Sequence, residues 1–401
     1  MDHPVQDGRQ ELTHGRPGRL PARAATSRRP TEDTIPTGRG RFPPPIPIAA
    51  VLLGTAVVWP LAAQESTAHE TARRLALAAM ERDRLPSLSI AVSREGKVLF
   101  TEAYGFADVE NRVVATPQSV YRIGSITKTL TAVSIMVLAQ NGTLDLDAPI
   151  QKYCPAFPEK ELPITARLLL AHQGGVRDYD YQRFKKEFLS TTRYESLSDA
   201  LSVFKNDPLV ALPGAETHYS SFGYVLLGCA LEGASGSPYD EVLKRRVLDP
   251  AGMTQTTLDY AERIVPYRVN GYGTAADRSW TNAVCVDLSD RFPAGGLLST
   301  PRDLVAFGSA LLGGRLVNPA ALQTMWEAQH TAKGKVTPYG LGWRVSEDSN
   351  EVFHGGTSVG GSAYLYIRRD RKLVVALATN VEFWTEPRHE LARRLADAFV
   401  P

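Results

Sequence analysis

Ser125, Ile126, Thr127 and Lys128 place a hydroxyl and an amine three residues apart. A serine hydroxyl is a poor nucleophile at neutral pH unless a base takes its proton and nearby positive charge favours the anion that forms. On a helix, positions i and i+3 share one face, and at a helix start both lie in the positive end of the macrodipole. The spacing alone does not decide the matter, because Ser202-Val203-Phe204-Lys205 repeats it. Context separates the two copies. Ser125 follows Tyr121-Arg122-Ile123-Gly124 and opens an apolar helix, whereas Ser202 falls inside a helical pattern already under way.

Two further groups suit the same chemistry. Tyr219-Ser220-Ser221 supplies a phenol and hydroxyls, and a phenol near cations can lose its proton and act as general base. Tyr194-Glu195-Ser196 is a second copy, but only Tyr219 has Pro213-Gly214 breaking the chain before it and an apolar run, residues 224–231, after it. His354-Gly355-Gly356-Thr357 leads into a strand pattern, and its small residues let a substrate backbone lie against a sheet edge. The amides of Thr357 and Ser125 would form an oxyanion hole. His172-Gln173-Gly174 repeats that motif too, and reads as a loop histidine without a partner. The candidate catalytic residues are therefore Ser125, Lys128, Tyr219 and His354, with Ser221, Gly356 and Thr357 binding substrate and oxyanion. A rival G-x-S-x-G match, Gly356 to Gly360, would make Ser358 an elbow nucleophile. It leaves only His389, on an expected surface helix, as the triad histidine.

The elements needed to position these groups are legible as patterns. A helix is expected over 67–84, then a hairpin in which 88–93 and 98–104 alternate about an Arg94-Glu95-Gly96-Lys97 turn. A helix over 125–140 ends at Asn141-Gly142. Residues 150–290 read as mainly helical, 339–345, 362–368 and 372–379 as three strands, and 386–399 as a closing helix. The fold class is α/β of the α+β type: an antiparallel sheet assembled from both chain ends and flanked by helices, with an inserted helical lobe at about 145–290.

With 401 residues, 43% hydrophobic and 22% charged, the chain is of ordinary globular composition. Its net charge is only +2, and much of the basic excess sits between Arg9 and Arg41, so nucleic-acid binding has no electrostatic case. Residues 1–44 read as a disordered basic leader. Residues 45–63 read as a signal peptide or N-terminal anchor: an apolar run, 48–59, precedes Pro60 and the small Ala62-Ala63. Cleavage is expected near Ala63-Gln64, because a membrane span needs about 20 apolar residues. Export to the periplasm or exterior follows, with a membrane tether through 46–63 as the alternative. Residues 64–401 then form one catalytic domain. Cys154, Cys229 and Cys285 are odd in number, lack metal spacing and read as buried small hydrophobes. No H-E-x-x-H or other cofactor motif is present, so no metal or cofactor is expected.

The three motifs, in this order, resemble those of the serine β-lactamase-like family, which includes class C β-lactamases, D-alanyl-D-alanine peptidases and related esterases. Longer runs, 105–113, 121–131, and 204–209 running on to 219–224, are most similar to its mitochondrial members, and the resemblance spans nearly all of residues 70–400. It implies an acylated Ser125, Lys128 as its activating cation, Tyr219 as general base and His354 as the third-motif residue. Class C enzymes carry Lys at the His354 position and Asn at the Ser221 position. That departure shifts the expected substrate, a small molecule or peptide, from β-lactams toward peptide, amide or ester bonds. An inactive binding or scaffold protein on the same fold is the alternative, but it would have no physical need for all four catalytic side chains.

Overall fold

The computed structural model describes residues 58–400 apart from 383 and 385–387. The expectations for residues 1–57 lie outside this range. Helix α1, Val58–Asp83, begins earlier than expected, its backbone running through Ala63-Gln64. Among the described residues no helix is long and apolar enough to cross a membrane.

Strands β1, Ser87–Arg94, and β2, Lys97–Asp108, form the expected hairpin. Glu95 and Gly96 both adopt positive φ, 52° and 81°, the backbone that matches the twist of a tight hairpin. The short β3, Val113–Val114, extends β2 at the edge. The other half of the sheet comes from the far end of the chain: β4, Arg344–Val345; β5, Glu351–Ser358; β6, Gly361–Arg368; and β7, Leu373–Thr379. The order is β3-β2-β1-β7-β6-β5-β4, antiparallel throughout, and β1 joins β7 with Ile90 opposite Leu377.

Both faces of the sheet are covered, which is why β7 is buried along its whole length. Leu373, Val375 and Leu377 face α1 and the closing helix α5, Arg388–Ala398. Val374 and Ala376 face the opposite core with Leu304 and Phe307 of α4, Pro301–Leu312. The alternation is that of a pleated strand, whose side chains leave on opposite faces in turn.

Two differences from the sequence reading concern strands. The stretch expected at 339–345 shrinks to β4, and the third motif lies inside β5 rather than before a strand. Two adjacent glycines lower strand propensity there, yet Glu351–Ser358 alternates between half-buried and buried. Beyond Phe353 the outer edge of β5 has no strand partner among the described residues, because β4 pairs only with Val352 and Phe353. The helical lobe also differs. Helix α2, Thr127–Gln140, packs on α3, Ser221–Ser235, but Thr257–Leu258 joins Leu297–Ser299 and Tyr121–Arg122 in a small sheet. Tyr272–Thr274 pairs with Trp280–Asn282, and the Tyr272 amide donates to Asn380 O at 2.8 Å. The chain after about residue 255 thus returns to the main sheet.

The cysteines correct the sequence reading. Cys154 and Cys229 form a disulfide that ties a turn 75 residues upstream to α3, and Cys285 is free and exposed. Replacing both bridged cysteines by alanine is expected to lower unfolding stability by about 2–5 kcal/mol. An unchanged urea midpoint would refute that. A second constraint is the approach of β5 to the turn ahead of α2. A methyl group on Gly356 would lie 1.8 Å from Ile123 O, and one on Gly124, at φ +49°, 2.6 Å from Thr357 N. Gly356→Ala is expected to cost about 1–3 kcal/mol and to part the strand from the turn, read as a lowered Tm together with slower labelling of Ser125.

Candidate active site

The segment that leads into Ser125 is held on two sides. Tyr121–Arg122 pairs with Leu297–Ser299, while Arg122 donates from Nη1 to Val359 O at 2.8 Å and from Nε to Asp259 at 2.6 Å. Gly124–Ile126 then forms a tight 3-10 turn that runs into α2. Ser125 is half-buried on this turn, and Lys128, the second residue of α2, is buried.

Lys128 Nζ is surrounded by acceptors. It donates to Ser125 Oγ at 3.1 Å, Ser221 Oγ at 3.3 Å and Ala294 O at 2.8 Å. Burial pushes its pKa down to about 7, with Arg291 acting in the same direction and Asp178 opposing. At neutral pH a large fraction of Lys128 is therefore an uncharged amine. Where the sequence reading has Lys128 as an activating cation, a neutral amine beside the serine oxygen can instead take its proton.

Tyr219 precedes α3. Ser220 caps that helix, its Oγ accepting the Gly223 amide at 2.9 Å, and the Ser221 amide donates to Asp178 Oδ1 at 2.9 Å. The Tyr219 phenol feels Ser125, which acts to lower its pKa, and Lys128 Nζ lies 4.9 Å from the Tyr219 ring centroid. Burial raises the phenol's pKa and outweighs the opposing effects of Ser125 and Arg344. The phenol thus keeps its proton at rest, contrary to the expectation that neighbouring cations would remove it.

His354 is buried in β5, and its Nδ1 donates to Gly355 O at 2.7 Å. Burial first and Lys128 second push its pKa down to about 3, so it is neutral at physiological pH. Gly356 and Thr357 lie against the Ser125 turn: a methyl on Gly356 would sit 3.0 Å from Ser125 N. The amides of Ser125 and Thr357 therefore flank one close approach. Arg388 Nη1 donates to Gly356 O at 2.8 Å, the carbonyl of the peptide whose amide belongs to Thr357.

All seven sequence-predicted site residues converge, and the rival copies do not join them. Ser202 is exposed in the short 3-10 helix Leu201–Val203. The Tyr194 amide bonds Ser289. Ser358 ends β5 just before the Val359-Gly360 hairpin turn into β6, so no strand-to-helix elbow exists there. His389 contacts Tyr364 and Glu351 instead. His172 is the exception. Read from the sequence as a partnerless loop residue, it is buried with its ring centroid 4.3 Å from that of Tyr219. Sequence reasoning also missed Asp178 and the carbonyl of Ala294. The repeated H-x-G pattern was the one signal for His172, and nothing local marks a carbonyl.

The Beta-lactamase family model matches residues 72–399. The chain is 29% identical over 378 residues to the mitochondrial serine beta-lactamase-like protein LACTB of Homo sapiens, covering 70% of this chain and 68% of that protein. Among solved structures it superposes on the octameric penicillin-binding protein homologue from Pyrococcus abyssi with TM-score 0.69 and 25% identity, over 80% of this chain and 75% of that one. A D-stereospecific amidohydrolase from Streptomyces gives TM-score 0.66 and 25% identity, over 80% and 97%. These likenesses support serine hydrolase chemistry in general. With the family model spanning most of its length, the chain belongs to the Beta-lactamase family.

Proposed function

We propose that this protein is a serine hydrolase that cleaves ester, amide or peptide bonds through an acyl-enzyme on Ser125. The observation that carries the reading is the buried amine of Lys128, with pKa about 7, held 3.1 Å from Ser125 Oγ. Neutral Lys128 takes the hydroxyl proton as Ser125 Oγ attacks the substrate carbonyl. The amides of Ser125 and Thr357 receive the charge that develops on the carbonyl oxygen. The leaving oxygen or nitrogen takes the Tyr219 proton, and the Lys128 ammonium returns a proton to the phenolate. In the second half, water attacks the acyl carbonyl, Lys128 accepts its proton by way of Tyr219, and Ser125 leaves as it regains a proton.

A neutral His354 offers no ammonium where class C enzymes carry lysine, which favours uncharged ester and amide groups over β-lactams. The amidohydrolase neighbour fits that preference. Export remains part of the proposal, and the Cys154–Cys229 disulfide supports it, because disulfides persist mainly in oxidising compartments.

The test is intact-mass analysis of residues 64–401 after exposure to a fluorophosphonate. One adduct is expected, absent in Ser125→Ala and unchanged in Ser202→Ala. No adduct on the unaltered chain would favour a non-catalytic binding protein. Labelling should also report the state of Lys128. Since only the neutral amine accepts the proton, the rate is expected to rise about tenfold per pH unit up to roughly pH 7 and then level off. Lys128→Arg, which cannot deprotonate, should abolish labelling at every pH, and a flat profile would exclude Lys128 as the base.

A further inference from the structure

Tyr219 lies outside regular secondary structure, yet its hydroxyl must stay on Ser125. We infer that His172 is the positioning residue for Tyr219, gripping the chain on both sides of the phenol and packing against its ring. This rests on the reading of Tyr219 as the proton-transfer group.

The contacts fall on three consecutive residues. The His172 carbonyl accepts the His218 amide at 2.8 Å. Its Nδ1 accepts the Ser220 amide at 3.2 Å. Between them its ring lies over that of Tyr219, with centroids 4.3 Å apart and planes inclined by 33°. The imidazole also packs against Tyr224 and Tyr339, with ring centroids 5.2 and 5.0 Å away. With the amides before and after it bound to one residue, the Tyr219 backbone has little freedom to turn the hydroxyl away.

Two features show that this residue is itself held firmly. His172 is 2% exposed, and its φ is +58°, a left-handed conformation that persists in a non-glycine residue only when the surroundings over-determine it. The imidazole also suits the task. A ring nitrogen that accepts an amide proton must be unprotonated, which places the ring proton on Nε2. Burial, followed by the charge of Lys128, holds the ring in the neutral form that keeps Nδ1 an acceptor.

The surrounding clamp does not depend on this side chain. Gln173 O accepts the Gly214 amide at 2.8 Å, and Gly175 O accepts the Val210 amide at 2.9 Å. Arg177 O accepts the Ser220 hydroxyl at 2.8 Å, and Asp178 accepts the Ser221 amide. Removing the imidazole therefore loosens Tyr219 while the two segments stay joined.

The test compares His172→Gly, which removes the ring and relieves the φ strain, with His172→Asn, which tolerates that φ and keeps an acceptor oxygen. Each is made in the unaltered chain and with Tyr219→Phe. Turnover is measured on an alkyl ester, whose departing alkoxide needs a proton, and on a p-nitrophenyl ester, whose leaving group does not. His172→Gly is expected to lower kcat for the alkyl ester about tenfold or more with little change in KM. The p-nitrophenyl ester should lose less, and His172→Asn should recover most of the activity. In the Tyr219→Phe background His172→Gly should add less than about a twofold loss, as expected for two residues acting as one unit. Unchanged kcat in His172→Gly, equal losses on both esters, or a loss that persists in full with Tyr219→Phe would each overturn the proposal. If His172→Gly shows no cooperative thermal transition, His172→Asn decides: near-normal alkyl-ester turnover supports the proposal, and a tenfold loss in folded protein refutes it. Failure of the underlying reading is seen separately, as a Tyr219→Phe single variant with normal alkyl-ester turnover.

Discussion

The removal of the Lys128 amine from water is the constraint around which the rest of the site is arranged. An ammonium that falls from 10.5 to about 7 corresponds to roughly 5 kcal/mol against the charged form. A buried amine in that state needs partners for its protons, and they come from distant parts of the chain. Ser221 Oγ is supplied by the first turn of α3, and Ala294 O by the turn Phe292–Gly295. That turn is anchored by Arg291, itself buried, which pairs with Asp290 at 2.6 Å and donates to Glu187 O at 2.6 Å and Phe188 O at 3.0 Å. The guanidinium ties the residue ahead of that turn to 187–188, and its charge is met locally by Asp290, so it adds to the pressure on Lys128 without dominating it.

The second requirement is that two chain ends meet. Ser125 stands on the connection between the hairpin and α2, while Thr357 comes from β5, more than two hundred residues later. The junction of β1 with β7 brings the two halves of the sheet together. Glycines at 124 and 356 then let the backbones touch where any side chain would hold them apart. Packing of the sheet and placement of the Thr357 amide beside the Ser125 turn are thus one problem with one solution, because a strand that shifts to relieve a clash also moves that amide.

How much of this could be read from the sequence varied with the kind of physics involved. Ser125 was separable from Ser202, and Tyr219 from Tyr194, because turn residues and apolar runs are local signals. The strand β5 was not legible, since adjacent glycines hide an alternation that only burial reveals. The partnership of Cys154 with Cys229 was also hidden, three cysteines allowing three pairings that spacing does not rank. Protonation states were the hardest. The sequence shows cations near Tyr219 and so suggests an acidic phenol, but desolvation sets the sign, and desolvation is a property of the folded chain. The same holds for His172, whose role is invisible until Tyr219 packs against it.

Taken together, the protonation states describe a site with little resting positive charge. Lys128 is part neutral, Tyr219 keeps its proton and His354 is neutral. Among the groups that bear on these residues, the permanent cations are arginines: Arg291 is paired with Asp290, Arg344 is exposed and bonds Tyr339, and Arg388 donates to Gly356 and Ala363 carbonyls. A substrate's ground-state anion would find few unengaged partners. In the proposed reaction, charge that appears on a carbonyl oxygen during attack is different, because it would arise beside the Ser125 and Thr357 amides. Interactions that strengthen only as the transition state forms raise turnover instead of merely tightening binding. A neutral base and fixed amide donors therefore suit the serine hydrolase chemistry that the family supports in general.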